Sequence, residues 1–118
     1  MPGQYLSQQS ITYVDQSFAK MFEQIKKSPW FSNTIFLFCA DHWFLERDDM
    51  KENIITSYEI PMFMYDPSNP QGVQVNTLGG QLDLLPTLYN KLGFKNPFTS
   101  FGKNLFDTTG EPRFTFNH

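Results

Sequence analysis

Asp41 and His42 stand side by side at the end of the longest apolar run in the chain, Ile35-Phe36-Leu37-Phe38-Cys39-Ala40. A carboxylate and an imidazole can give one oxygen and one nitrogen to a divalent ion where the backbone leaves its extended path. The same dipeptide also serves as a cap or turn for the following loop, and the two residues alone leave both readings open. Two ligands do not complete a site, because zinc usually takes four and magnesium or manganese about six including waters. Glu46, Asp48, Asp49 and Glu52 follow closely, although a charged, exposed loop is the commoner origin of such a cluster. His118 is terminal, where order is often poor. Cys39 sits within the apolar run and reads as core packing, since no histidine precedes it and apolar surroundings disfavour the thiolate nucleophile. Gly79-Gly80-Gln81 precedes a helical pattern and could in principle hold an anion, but Asp83 occupies that helix start, so a structural turn is the better reading. The chain has no Walker loop, GxSxG elbow, CxxC or HExxH motif, which removes the common nucleotide, serine-hydrolase, zinc-ribbon and zincin readings.

The elements that must carry these residues follow from spacing. Ile11, Val14, Phe18, Met21, Phe22 and Ile25 fall on one stripe of a helix over residues 10–28. Ser10 is its expected N-cap, Lys26 and Lys27 suit the negative end of the helix dipole, and Pro29 stops it. Residues 34–40 show no polar alternation and predict a strand buried on both faces, as in a parallel sheet, with Asp41 and His42 at its carboxyl edge. In open α/β sheets that edge is where ligands bind. Residues 43–59 are polar and read as a surface loop. Residues 60–65 predict a second buried strand, with Pro61 tolerated at its start, and Asp66-Pro67-Ser68-Asn69-Pro70 a turn. A short extended piece is expected at 73–75. A second helix should bury Leu84, Leu85, Leu88, Tyr89 and Leu92, with Asp83 as N-cap and Gly93 as left-handed C-cap. A final strand is expected at 113–116. No repeat, low-complexity tract or interdomain linker is visible.

Composition narrows the function further. Length of 118 residues fits one modest domain or a piece of a larger one. Nine Lys and Arg against twelve Asp and Glu give a net charge of −3, which lacks the basic footprint of a nucleic-acid binder or of a membrane-surface patch. Thirteen Phe, two Trp and five Tyr argue for a packed core and against disorder. One cysteine cannot form an internal disulfide, so a stapled mini-domain is excluded. The longest apolar run of six residues is far short of the ~20 that span a bilayer. The first residues have neither a basic nor an apolar signal-peptide region.

Taken together in order, the segments 13–18, 30–42, 60–67, 80–88 and Phe101-Gly102-Lys103-Asn104-Leu105-Phe106 resemble the C-terminal part of a sulfatase-family protein. Within that family the chain is most similar to lipoteichoic acid synthase-type phosphoglycerol transferases of the alkaline phosphatase superfamily. The resemblance runs from about residue 10 to 117. It implies an α/β fold, part of an alkaline phosphatase-like sheet with flanking helices. Residues 1–118 would form the C-terminal portion of a catalytic domain, incomplete by itself. Asp41 and His42 would be its two metal ligands, with no catalytic nucleophile and no other cofactor-binding residue in the chain.

The nucleophile, a threonine or modified cysteine, and the other acidic ligands would come from the N-terminal remainder of the same domain, the first expected partner. The ion would be divalent in the full-length protein, with manganese ahead of magnesium, zinc or calcium and none held by the fragment. Substrates would be lipid-linked or polymeric phosphodiesters or sulfate esters, with no nucleic acid, at a bacterial cell membrane with the catalytic domain outside the cytoplasm. The imidazole of His42 tilts the chemistry toward phosphoryl transfer, because calcium sites in true sulfatases favour oxygen ligands. Trp43 departs from the small or polar residue many relatives carry after the pair. The alternative from another class is a non-catalytic α/β binding or structural module in which Asp41-His42 is a turn.

Overall fold

A computed structural model describes residues 6–42, 58–107 and 109–115. The order of elements is α1 (Leu6–Ile25), a 3-10 turn (Phe31–Asn33), β1 (Phe36–Cys39), β2 (Met62–Tyr65), a second 3-10 turn (Gln81–Asp83) and α2 (Leu84–Lys91). This is the expected α/β class. The chain forms two compact units, Met1–Gln71 and Gly72–His118.

In the first unit, α1 begins at Leu6, four residues before the expected cap, so Ser10 lies inside the helix. Hydroxyls within the helix bond back to their own turn: Thr12 donates to the Gln8 carbonyl and Ser17 to that of Tyr13, both at 2.7 Å. The helix ends at Ile25, and Lys26 adds one further bond to the Phe22 carbonyl at 3.0 Å before turns lead to Pro29. The lysines therefore sit just past the last turn.

β1 and β2 pair with Phe36 opposite Tyr65, Leu37 opposite Met64, Phe38 opposite Phe63 and Cys39 opposite Met62. The pairing is antiparallel, which corrects the parallel-sheet expectation; unbroken apolar runs report burial pressure on both faces, not strand direction. Opposed residues share a face, so Phe36, Phe38, Phe63 and Tyr65 form one side of the ribbon. Against it lies α1: Phe18 meets Phe38 edge-on at 5.2 Å, and Phe22 packs on Phe36 at 5.5 Å and Tyr65 at 5.7 Å. Leu37, Cys39, Met62 and Met64 form the other side. Leu37 and Cys39 are exposed and the two methionines partly so, where burial on both faces was expected.

In the second unit, α2 starts one residue after Asp83 and ends in a Schellman motif. Gly93 has φ +66°, its N–H donates to the Asn90 carbonyl at 3.0 Å, and Phe94 N–H reaches back to Tyr89 at 2.9 Å. The ring of Phe94 rests 4.6 Å from that of Tyr89, the apolar contact that accompanies such caps. Residues 113–115 form no strand, contrary to expectation, and Phe116 lies outside the described residues; 73–75 pair with no strand. Among the described residues only Asp83, Pro86 and Thr87 are buried, and no large apolar side chain is.

Candidate metal centre

Asp41 and His42 are placed by the end of the β1–β2 ladder. The last bond of that ladder runs from Ala40 N–H to the Pro61 carbonyl at 3.1 Å. Proline has no N–H with which to return it, so pairing stops and the chain bends at Asp41 and His42. The expected strand over 34–40 is thereby confined to Phe36–Cys39.

At the bend, His42 N–H donates to Asp41 Oδ1 at 3.0 Å, which fixes the carboxylate beside its own backbone. Asp41 Oδ2 then lies 3.7 Å from His42 Nε2, with the two side chains 89% and 72% exposed. An oxygen and a nitrogen at that separation fit two ligands of one ion at bond lengths of about 2.1 Å. The donor set, one hard oxygen and one imidazole, suits manganese or zinc better than calcium. Among the described residues no third His, Cys, Asp or Glu joins them in a cluster. Glu46, Asp48, Asp49, Glu52, Trp43 and His118 lie outside the described residues. Cys39 is exposed, which corrects its assignment to the core: as the alternate residue on β1 it points to the sheet face opposite α1.

A second polar centre, legible in sequence only as a helix cap, lies in the Gly72–His118 unit. Asp83 makes no side-chain bond to the α2 N-terminus. Its carboxylate instead accepts the Gly80 N–H at 2.8 Å and the Lys103 N–H at 2.6 Å. One turn on, the Thr87 hydroxyl donates to the Asp83 carbonyl at 2.6 Å and accepts the Leu105 N–H at 2.9 Å. Two adjacent polar side chains thus tie residues 103–105 to the start of α2. Gly102 permits the approach, since a Cβ there would collide with the Leu82 carbonyl. Gly79-Gly80 before the helix and Gly102 after it were the available signals.

The same unit contains a cleft of about 280 Å³ lined by Asn76, Thr77, Lys103, Asp107, Glu111 and Arg113, among others. Its cations are engaged: Lys103 Nζ donates to Glu111 at 2.7 Å and Arg113 to the Asn104 carbonyl. Two carboxylates in the lining leave it without a preference for anions.

Comparison with known proteins settles the class. The Sulfatase family model matches residues 6–94, across both compact units, and the chain belongs to the Sulfatase family. Lipoteichoic acid synthase 1 of Bacillus subtilis (strain 168) is 25% identical over 123 aligned positions, 93% of this chain and 19% of that protein. Lipoteichoic acid synthase 2 of the same organism is 26% identical over 98, covering 72% of the chain and 15% of the relative. The chain therefore spans a fifth or less of the length of these relatives. No solved structure gives a significant match. No helix among the described residues is long and apolar enough to cross a membrane.

Proposed function

We propose that the chain is the C-terminal piece of a metal-dependent phosphoglycerol transferase-type enzyme, carrying two of its metal ligands and inactive alone. The observation that carries this is the Asp41-His42 pair, an oxygen and a nitrogen 3.7 Å apart at the bend that ends β1, in a chain of the Sulfatase family. Family membership and the lipoteichoic acid synthase relatives support phosphodiester or sulfate ester chemistry, and the imidazole supports the phosphoryl side of that choice.

In this reading Asp41 supplies an anionic oxygen and His42 a neutral nitrogen, manganese being the preferred ion. When bound, the ion lowers the pKa of the attacking hydroxyl and stabilises charge on the transferring group. The nucleophile and the acidic ligands come from the N-terminal remainder of the domain. The bond between His42 N–H and Asp41 Oδ1 holds the carboxylate so that its second oxygen faces the imidazole edge. α1 and the ring cluster beneath β1 keep the strand end in place. The substrate is a lipid-linked or polymeric phosphodiester and the parent protein works at the bacterial membrane with its catalytic domain outside.

Manganese titrations test the reading. The 118-residue chain should bind the ion weakly, because two protein ligands gain little over full hydration. A longer protein with the remaining ligands should bind tightly, and His42→Ala should abolish its activity while leaving its circular dichroism unchanged. Micromolar binding to the 118-residue chain would show that it completes a site alone. Full activity of the substituted longer enzyme would remove His42 from the mechanism.

A further inference from the structure

The cleft of the Gly72–His118 unit is polar throughout, and the groups its own hydrogen bonds leave over define a ligand. Its lining comes from two stretches, residues 76–77 and residues 103–113. The second lies past residue 94, where the Sulfatase family match ends, so family membership by itself assigns the cleft no role. Short-range bonds shape that stretch: Asp107 N–H donates to the Asn104 carbonyl at 3.1 Å, Thr109 N–H to Asp107 Oδ1 at 3.0 Å, and Lys103 Nζ to Glu111 at 2.7 Å.

Two cations and two carboxylates line the cleft, which therefore carries no net charge. Among the described residues, Asp107 Oδ2, the Thr77 and Thr109 hydroxyls and the Asn76 amide N–H₂ have no hydrogen-bond partner. Arg113 donates to the Asn104 carbonyl and keeps further N–H donors. A ligand that meets this set must offer donors and acceptors at short spacing. Neighbouring hydroxyl groups do so, each taking the place of a water at one of these atoms. Apolar and aromatic ligands find no support, because no aromatic or large aliphatic side chain lines the cleft, whereas most ligand pockets are predominantly apolar. A simple anion or cation meets charges of both signs. The volume of about 280 Å³ lies just under the roughly 300 Å³ at which drug-sized pockets begin, which suits one sugar ring or a short polyol.

We propose that this cleft binds a neutral polyhydroxylated ligand, Asp107 accepting from a pair of neighbouring hydroxyls while Asn76 and Arg113 donate to their oxygens. A single such unit binds in the millimolar range, since each contact replaces one already made to water. The inference goes beyond the proposed function and needs neither the Asp41-His42 pair nor a metal. Its test is run without metal, so failure here leaves that reading untouched, and the reverse.

Heteronuclear NMR of the 118-residue chain, titrated separately with D-glucose and with sorbitol, supplies the test. The two probes are a ring and an open chain of the same carbon number, so they also show which form the cleft takes. At least one should give saturable shifts at the amides of Thr77, Thr109 and Glu111. Asp107→Asn keeps an oxygen for the Thr109 N–H but puts N–H₂ in place of the spare oxygen, and should weaken binding about 10-fold. Thr77→Val removes a hydroxyl that has no partner among the described residues, should weaken binding about 3-fold, and carries the test if Asp107→Asn unfolds. Glycine and inorganic phosphate, as charged probes, should shift these amides no more than sodium chloride does. Shifts that stay linear to about 100 mM of both polyhydroxylated compounds would overturn the proposal. Saturable shifts centred elsewhere, tighter binding of glycine or phosphate, or undiminished affinity in the folded variants would also overturn it.

Discussion

Asp83→Ala isolates the energetic weight of the polar clamp in the Gly72–His118 unit. The substitution removes both acceptors at once, leaving the N–H groups of Gly80 and Lys103 without a carboxylate that now lies 2.8 and 2.6 Å away. A hydrogen bond to a charged group contributes about 1.5–3 kcal/mol, and partial access of water to the two donors returns part of that. The expected net loss is about 2–4 kcal/mol, a large share of the ~5–15 kcal/mol typical of a whole domain. Asp83→Asn keeps one acceptor but turns an amide N–H₂ toward the other donor, so its loss should be smaller, about 1–3 kcal/mol.

Thr87→Val removes the hydroxyl that serves Leu105 and should cost about 1–2 kcal/mol. Because both side chains hold the same segment, the double variant should lose less than the sum of the single losses. Urea unfolding followed by circular dichroism gives the totals, and amide hydrogen exchange at Lys103 and Leu105 gives the local effect. Exchange at Lys103 should rise most in Asp83→Ala and at Leu105 most in Thr87→Val. Wild-type protection of the Lys103 amide in Asp83→Ala, or a loss under about 0.5 kcal/mol, would show that the clamp does not hold residues 103–105.

Further outcomes follow from the same geometry. Gly93→Ala should cost about 1 kcal/mol in urea midpoint analysis, since its left-handed backbone disfavours a Cβ although the surrounding space is open. Gly102→Ala should cost more than that despite an ordinary backbone, because its Cβ meets the Leu82 carbonyl and the Asp83 amide; equal losses at the two glycines would refute this distinction. Phe22→Ala should remove about 2 kcal/mol, at the low end for an aromatic truncation because the ring is only half-buried, and should loosen the Trp30 environment seen by fluorescence through the Phe31 and Phe36 rings. Manganese added at millimolar concentration should leave the thermal midpoint of the 118-residue chain within about 1 °C, since weak binding transfers little free energy to folding.

Sequence periodicity located both helices, both strands and the left-handed Gly93, because each rests on a local rule of spacing or backbone sterics. It failed where the outcome depends on distant chain. The direction of β1 relative to β2 is set by the path between them, which local pattern does not encode. Cys39 was assigned to the core from its apolar neighbours, yet alternate residues of a strand face opposite ways, and only one face of β1 meets α1. Asp83 was legible as a cap from its place before α2, while its bond to Lys103 joins residues twenty apart and has no local signature. The Asp41-His42 pair was legible because strand and polar pair are contiguous; among the described residues no third candidate ligand joins it.

Pro61 gives the candidate centre a property of its own. Since the missing N–H of that proline ends the ladder opposite Ala40, the starting point of Asp41 and His42 is fixed by β2. Doubling the length of a connection between paired strands costs only about 0.6 kcal/mol in closure entropy. On that entropic ground alone, a longer connection would not shift the point at which Asp41 and His42 leave the ladder. The address of the two side chains is thus written in the strand pairing itself, at the bond between Ala40 and Pro61.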